Sequence, residues 1–482
     1  MIKQTLLAAA VTAALVAPGT ALAVTEAEMA ELRQQVQQLK RDYEQRIEAL
    51  EKRLQQAENT TRQTEDVAVR TAEVAAKAEA RSAQAESAAV QASARPASES
   101  AFNPAVSVIL NGRYGNLSQD PAGYRIAGFA PTGSDISPGK RGFSLGESEI
   151  AFAANVDHYF RGTLIATVQP DDTIGVEEGY FQTLGLSHGL TLKAGRFYAN
   201  IGYQNDIHAH AWDFTDTSLA SRAFLGGQFA DDGLQLKWLA PTDTFFELGA
   251  EAGRGRSFPG SDRDKNGVGS TNLSARLGGD VGSGGAWLVG LSNLRTTARN
   301  RSYNDLNALG TQVGNSFSGA SNLWVLSGIL KWAPKGNDTQ TNFKLQGEYF
   351  RRTESGSLAY DTAAITPAGT QSGSLNSAQS GWYMQGVYQF MPRWRAGYRY
   401  DRLNSDSVKL GLVEAGTLAA ADFPIYSRYN PKRNTLMLDF SPSEFSRLRL
   451  QVADENSQPG ARDKQVFLQY IMSLGAHGAH NF

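Results

Sequence analysis

The residues best suited to do chemistry lie together in one stretch, 199–232. It contains His208 and His210 among several aspartates and a single arginine. Side chains two positions apart in an extended backbone point to the same face, so both imidazoles could meet one metal ion. Asp206 or Asp213 could supply an oxygen ligand. The alternative is that the two histidines only form local hydrogen bonds within a loop.

No catalytic constellation accompanies these histidines. The Gly-x-Ser-x-Gly pattern occurs twice, at Gly142–Gly146 and Gly185–Gly189, but both matches lie among predicted strands and not between a strand and a helix, as a nucleophile elbow requires. The chain has no Walker loop or dinucleotide fingerprint. It has no cysteine, which excludes disulfides and thiolate metal ligands. Its net charge of −2 does not favour a nucleic-acid partner. We therefore expect a protein that is not an enzyme and has no cofactor, with zinc as the one candidate ligand.

The amino-terminal residues predict export. Lys3 provides a positive charge, Thr5–Ala17 an apolar run, and Ala21–Ala23 a small-residue cleavage site. We expect residues 1–23 to be a signal peptide and the mature chain to begin at Val24. No later run reaches the roughly 18 apolar residues that a transmembrane helix needs.

Residues 24–57 carry the pattern of a coiled coil. Large apolar residues recur every three or four positions between Met29 and Leu54, amid charged residues. The apolar stripe is too narrow to be buried within one chain, so we expect it to associate with partner helices. The alternative is a single amphipathic helix. Residues 58–101 are rich in alanine and are predicted to form a helical spacer, which extends this periplasmic arm.

Residues 102–482 show a period of two. Segments of about ten residues alternate between apolar and polar side chains. Leu448 and Leu450, for example, face away from Arg447 and Arg449. Roughly sixteen such segments predict an all-β fold, a transmembrane antiparallel β-barrel behind the helical coiled coil. The alternative, a soluble sandwich or propeller, would place polar residues on the outer face.

Connections between these segments distinguish the two ends of the predicted barrel. Short turns, such as Gly185–Gly189, are expected on the periplasmic side, and longer connections outside. The long connections are predicted at 117–143, 199–232, 254–269, 298–321, 354–380 and 405–432.

This organisation resembles the phosphate-selective porin O and P family. The local match is best at GESEIAFAANVDHYFRGTLIATV (146–168) and GYFQTLGLSHGLTLKAGRFYANIG (179–202). The resemblance implies an outer-membrane homotrimer that lets solutes pass passively. The segments YQNDIHAHAWDF and SLGAHGAH also resemble a little-characterised group of outer-membrane proteins associated with zinc uptake.

The family resemblance also implies that the third outer connection, 199–232, folds inward and narrows the channel. Its ionisable residues would form the constriction: Asp206, His208, His210, Asp213, Asp216 and Arg222. Alternation predicts a pore wall of mixed charge: Arg113, Glu147, Glu149, Arg161, Lys237, Arg395, Arg399, Arg447 and Arg449. Aspartates outnumber the lone arginine in the loop, so we expect a preference for cations rather than the anion selectivity of phosphate porins.

These observations favour a channel in the bacterial outer membrane for passive diffusion of small ions or solutes. Two alternatives remain open. The first is a specific channel for a divalent metal such as zinc, or for metal complexes, which the histidine pair favours. The second is a structural tether whose coiled coil binds the cell wall while the barrel anchors it in outer-membrane lipid.

Overall fold

The computed structural model describes residues 105–132, 136–169, 173–262, 264, 266–334 and 336–475. It also describes seven separate positions of the arm, all helical and exposed: Gln37, Arg41, Glu44, Glu48, Glu51, Lys52 and Gln55. The expected signal peptide, coiled-coil seam and spacer lie outside the described residues, as do the histidines of the SLGAHGAH segment. Self-association of the arm therefore stays a prediction. Within the described residues, no helix has both the length and the apolar character needed to cross a membrane.

The described part of the chain from residue 105 onward consists mainly of strands. The strands are β1 (Ala105–Leu117), β2 (Gly142–Leu145), β3 (Ser148–Asn155), β4 (Phe160–Val168), β5 (Ile174–Thr183), β6 (Leu190–Tyr198), β7 (Ala230–Leu239), β8 (Phe245–Gly253), β9 (Ser270–Val281), β10 (Gly285–Leu306), β11 (Gln312–Trp332), β12 (Asn342–Tyr360), β13 (Gln371–Met391), β14 (Trp394–Leu410), β15 (Lys432–Ser443), β16 (Ser446–Gln458) and β17 (Ala461–Gly475). The α-helices are α1 (Leu219–Leu225) and α2 (Gly411–Glu414).

The strands close into a barrel. Apart from β2 and β3, each strand pairs antiparallel with the next, and β17 pairs with β1, for example through Gly112 and Tyr470. Both β2 and β3 pair with β1, one after the other, through Gly112–Leu145 and Ile109–Glu149. They are therefore two halves of one wall strand, and the seventeen segments make a barrel of sixteen strands. This confirms the predicted fold class and strand number.

One face of the wall is apolar and faces outward. Leu448, Leu450 and Val452 are 40%, 46% and 41% exposed, whereas the alternating Arg449 and Gln451 are fully buried. The same contrast recurs along β17 and β12–β15. An outward apolar band with polar groups inside is the arrangement of a membrane-spanning barrel.

Three outer connections are shorter than predicted, and the strands next to them are longer. The observed connections are 307–311, 361–370 and 411–431, in place of 298–321, 354–380 and 405–432. Outward positions at the end of β10, such as Thr297, Arg299 and Ser302, are polar. A strand that continues past the lipid no longer needs an apolar face, so its sequence has the composition of a loop.

The long connection between β6 and β7 lies inside the barrel. It carries α1, which begins after the N-cap Ser218 and ends at Gly226, a left-handed residue with φ of 71°. All seven residues of α1 are buried. Phe224 packs against Phe129 and Phe350, with ring centroids 5.5 and 5.8 Å away. This apolar cluster fixes the connection against the wall.

Candidate functional site: the lumen constriction

The inward loop, residues 199–229, is attached to the wall where it enters the lumen. Gly202 has a φ of 63°, and a Cβ there would lie 2.1 Å from Glu348 Oε1. Only glycine fits both this conformation and this close approach. The Tyr203 amide donates to Glu348 Oε1 at 2.5 Å, and the Gly202 amide donates to Ser292 Oγ at 3.0 Å.

Asp216 ties the loop to β14 and β15. Its carboxylate accepts hydrogen bonds from Arg399 (2.8 Å), Arg433 (2.6 Å) and Arg222 (2.8 Å). Burial alone would raise the pKa of Asp216, but the charges of these three arginines hold the pKa well below its usual range. Asp216 is therefore a fully neutralised anchor.

Asp213, three residues earlier, also ties the loop to the wall. It pairs with Lys344 and lies 3.3 Å from Arg395 Nη1. Burial opposes ionisation, yet these two cations lower the pKa of Asp213 below its usual range. Asp206 pairs with Arg276 at 3.2 Å. The loop aspartates thus do not supply the free negative charge that the sequence led us to expect, because cations of the wall neutralise them.

The two histidines face the opposite wall, formed by β3 and β5. His210 Nδ1 lies 2.8 Å from Glu149 Oε1, and His208 Nε2 lies 3.0 Å from Glu178 Oε2. The imidazole rings stack with centroids 5.9 Å apart. The backbone here is a 3₁₀ turn, Ala209–Ala211, rather than the extended segment that we predicted. The carboxylates beside the histidines come from the wall and not from Asp206 or Asp213.

His208 lies among three carboxylates. Its Nδ1 is 3.4 Å from Glu177 Oε2 and 3.5 Å from Glu149 Oε2, while Nε2 contacts Glu178. The Tyr198 hydroxyl donates to the other oxygen of Glu177. Burial lowers the pKa of His208, but the negative charges of Glu177 and Glu149 and the hydrogen bond to Glu178 outweigh it and raise the pKa well above its usual value.

We name the carboxyl groups of Glu147, Glu149, Glu177 and Glu178 the acidic wall. In the part of the chain that the structure describes, none of them forms an ion pair with a lysine or arginine; their cationic partners are the two histidines. Carboxyl groups that are crowded together without fixed cations either share protons or attract mobile cations.

Both strands of the acidic wall are irregular at the site. In β2 the outward residues are Phe143 and Leu145, at odd positions, whereas in β3 the outward Phe152 is even. The interruption at Gly146 changes the parity and turns Glu149 inward. A Cβ at Gly146 would lie 2.5 Å from the side chain of Asn111, so this residue packs closely against β1 and has no room for a side chain.

A bulge in β5 has the same effect. The pairing of β4 with β5 shifts between Ile165 and Ala166, whose partners are Glu178 and Val176. The residue between them, Glu177, is left without a partner in the register. Bulges redirect side chains next to functional sites, and this one lets Glu177 and Glu178 both face the lumen.

Alternation alone allows only one of two adjacent residues to point inward, so Glu177 and Glu178 were absent from the sites predicted from the sequence. Two consecutive glutamates inside a strand are the signal that could have revealed them.

The loop segment 208–212 separates two cavities. One, of about 920 Å³, lies toward the short turns and is lined by His208, His210 and Ala211. The other, of about 540 Å³, is lined by Ala209 and Trp212 and by Glu147 and Glu177. The acidic wall and the histidines thus occupy the level at which the two cavities approach each other.

The remaining predicted wall residues have separate environments. Arg113 donates to the Pro138 carbonyl at 2.8 Å, and Lys237 lies 3.5 Å from Glu247. Arg447 donates to the Trp212 carbonyl at 3.2 Å. Arg161 is exposed near a short turn, away from the constriction. Arg395, Arg399, Arg433 and Arg449 lie with Lys344 on the side that holds the loop, which we name the basic wall.

No family model matches the chain. Similar solved structures include in-vitro folded OmpT of Vibrio cholerae (TM-score 0.47, 11% identity, 77% of this chain and 97% of that chain). They also include the outer membrane channel DcaP of Acinetobacter baumannii (0.44, 11%, 78% and 99%) and an anion-selective porin from Comamonas acidovorans (0.45, 10%, 77% and 99%).

An uncharacterized protein of Aquifex aeolicus (strain VF5) is 30% identical over 419 residues, which cover 80% of this chain and 81% of that protein. By this relationship, the chain belongs to the same family as the Aquifex aeolicus protein.

Proposed function

We propose that this protein is an outer-membrane channel for the passive diffusion of small ions or solutes, with a preference for cations at its constriction. One observation carries the proposal: in the part of the chain that the structure describes, no lysine or arginine forms an ion pair with the acidic wall, at the level where the two lumen cavities approach each other. The proposal includes no catalysis and no coupling to an energy source.

The cation preference follows from where charge is compensated. Arginines and lysine of the basic wall pair with Asp213, Asp216 and Asp439, so they present little net field to a passing ion. Among the described residues, no lysine or arginine forms an ion pair with the glutamates of the acidic wall. Histidines and neutral donors such as Tyr198 and Gln169 contact them instead. In a narrow passage the field of such groups is weakly screened, and it favours ions of opposite charge.

The proposal extends the resemblance to the porin O and P family to the outer-membrane location, the homotrimer and the passive mechanism. It does not extend it to phosphate. A phosphate channel needs cations that are free to bind an anion, whereas the innermost arginines here, Arg399 and Arg433, are fully buried and already paired.

A second candidate, a channel for divalent metal ions such as zinc, is favoured by one specific observation. His208 and two glutamates place donor atoms within 4.8 Å of one another at the constriction. A barrel that serves only as an anchor for a cell-wall tether would gain nothing from such a cluster.

Planar-bilayer recording of the full chain tests the channel proposal. Protein purified from outer membranes, and shown to be folded by its heat-dependent gel mobility, should give stepwise current increases in potassium chloride. Light scattering should report a trimer. Folded protein that inserts into the bilayer without carrying current would contradict the channel and favour the tether.

A further inference from the structure

The orientation of His208 fixes which of its nitrogens is available. Nε2 lies 3.0 Å from Glu178 Oε2. An ionised carboxylate can only accept, so Nε2 carries the hydrogen of this bond. A metal ion that displaces the proton from Nδ1 would meet the lone pair of this nitrogen, which faces the lumen. A carboxylate that holds one imidazole nitrogen so that the other can bind is the usual support of a metal-binding histidine.

The free nitrogen faces two carboxylate oxygens. Nδ1 lies 3.4 Å from Glu177 Oε2 and 3.5 Å from Glu149 Oε2. Among the described residues, neither Nδ1 nor Glu177 Oε2 has a hydrogen-bond partner, although both are buried. The side chains of Glu149 and Glu177 are only 4% and 7% exposed. A buried carboxylate oxygen without a hydrogen-bond partner, such as Glu177 Oε2, is costly unless a positive charge lies beside it.

The spacing suits a metal ion better than a void. Ligand atoms that each lie about 2.1 Å from a tetrahedral zinc ion are about 3.4 Å apart. We propose that Glu149, Glu177 and His208 bind a divalent first-row transition-metal ion, for which Zn²⁺ is the probe. An imidazole with carboxylates suits such an ion, and the absence of cysteine removes the ligands preferred by softer metals.

Each proposed ligand residue has a second polar atom, turned away from the metal position, that contacts another side chain. His210 Nδ1 lies 2.8 Å from the second oxygen of Glu149, and the Tyr198 hydroxyl donates to the second oxygen of Glu177. Glu178 fixes His208. Three ligands on three chain segments, each with its own outer partner, form a preorganised site rather than a chance group of acids.

A metal ion bound at this site would also change the flow of ions through the lumen. A bound divalent cation neutralises much of the acidic wall and occupies the level between the cavities, so Zn²⁺ should reduce cation current. This consequence rests on the proposed channel function, whereas binding itself does not.

Metal binding is measured on the full chain in detergent, stripped with a chelator and titrated with Zn²⁺ against a chromophoric zinc indicator. We expect one saturable site in the parent. Affinity should fall more than about tenfold in His208→Gln and in the double variant Glu149→Gln/Glu177→Gln, since even supporting partners contribute that much. Glutamine retains an amide donor for Glu178, which protects the fold, and heat-dependent gel mobility verifies it.

Matched controls separate this site from other donors. His158→Gln and Glu444→Gln change the same residue types in exposed short turns, and His477→Ala/His480→Ala removes the histidines of the SLGAHGAH segment. All three should bind like the parent. No saturable site in the parent, equal affinity in the site variants, or loss of binding only in the His477/His480 variant would each overturn the proposal. Because the titration needs no membrane, a protein without conductance can still bind zinc.

Discussion

The basic and acidic walls of the lumen are both rich in charge, but only one is neutralised within the fold. On the basic wall, Arg399 and Arg433 share Asp216, and Arg449 pairs with Asp439 at 2.8 Å. On the acidic wall, the glutamates have histidines but no lysine or arginine among the described residues. The loop segment between the walls matches this division, with aspartates on one side and histidines on the other.

This difference in charge pairing suggests that the basic wall stabilises the fold and that the acidic wall serves the function. A buried charge is strongly destabilising when its partner is missing, so complete pairing on the basic wall holds the loop in one position. Crowded carboxyl groups without fixed cations weaken a fold, and sites of this kind are candidates for function. A mobile cation between these glutamates would offset their mutual repulsion.

The largest effect should come from removing the central acid of the basic wall. In Asp216→Asn, three buried arginines lose their shared carboxylate, and the free energy of unfolding should fall by about 3–5 kcal/mol. Urea unfolding in detergent micelles measures this change, and the single-channel conductance should rise as the loop loosens.

Asp157→Asn, in an exposed turn, is the matched control and should leave both quantities unchanged. An Asp216→Asn protein with the stability of the control would show that the loop is held by its apolar cluster alone.

Asp213→Asn should have a smaller effect on stability and a clear effect on selectivity. Lys344 and Arg395 are 22% and 21% exposed, so water solvates them when their acid is removed. We expect a loss of about 1–3 kcal/mol. The two released cations line the larger cavity, so the reversal potential should move toward anions. No change in reversal potential would mean that ions do not pass this side of the lumen.

The smallest effect should come from mild acid. The pKa of Asp216 is depressed, so its contribution to stability is complete above the ordinary aspartate value, about 4, and is lost only as pH falls through the lower folded-state value. The difference in unfolding free energy between parent and Asp216→Asn should therefore be the same at pH 7 and at about pH 4.5. A difference that shrinks in this range would show that Asp216 is not held ionised.

The regular part of the barrel could be predicted because the direction of each side chain depends only on its position along its own strand. Outward residues such as Leu450 must be apolar and inward ones such as Arg449 polar, so alternation gives the strands and their number. The family resemblance, rather than alternation, predicted that the outer connection 199–232 folds inward. Its histidines contact glutamates of β3 and β5 and not the loop aspartates that the sequence suggested as their partners.

Partners were missed because they depend on contacts distant in sequence. Asp216 is neutralised by Arg433, 217 positions away, and no local pattern states this. Glu177 and Glu178 both face the lumen only because a bulge breaks the alternation used to predict the wall. The rule that predicts the barrel fails where the candidate site interrupts it.

The central claim, that uncompensated acid on the wall of β3 and β5 sets the selectivity, is tested most directly by reversal potentials in a potassium chloride gradient. The parent should prefer cations, Glu149→Gln/Glu177→Gln should move the potential toward zero, and Glu444→Gln in an exposed turn should match the parent. A parent that prefers anions, or a double variant with the parent's reversal potential, would contradict the claim.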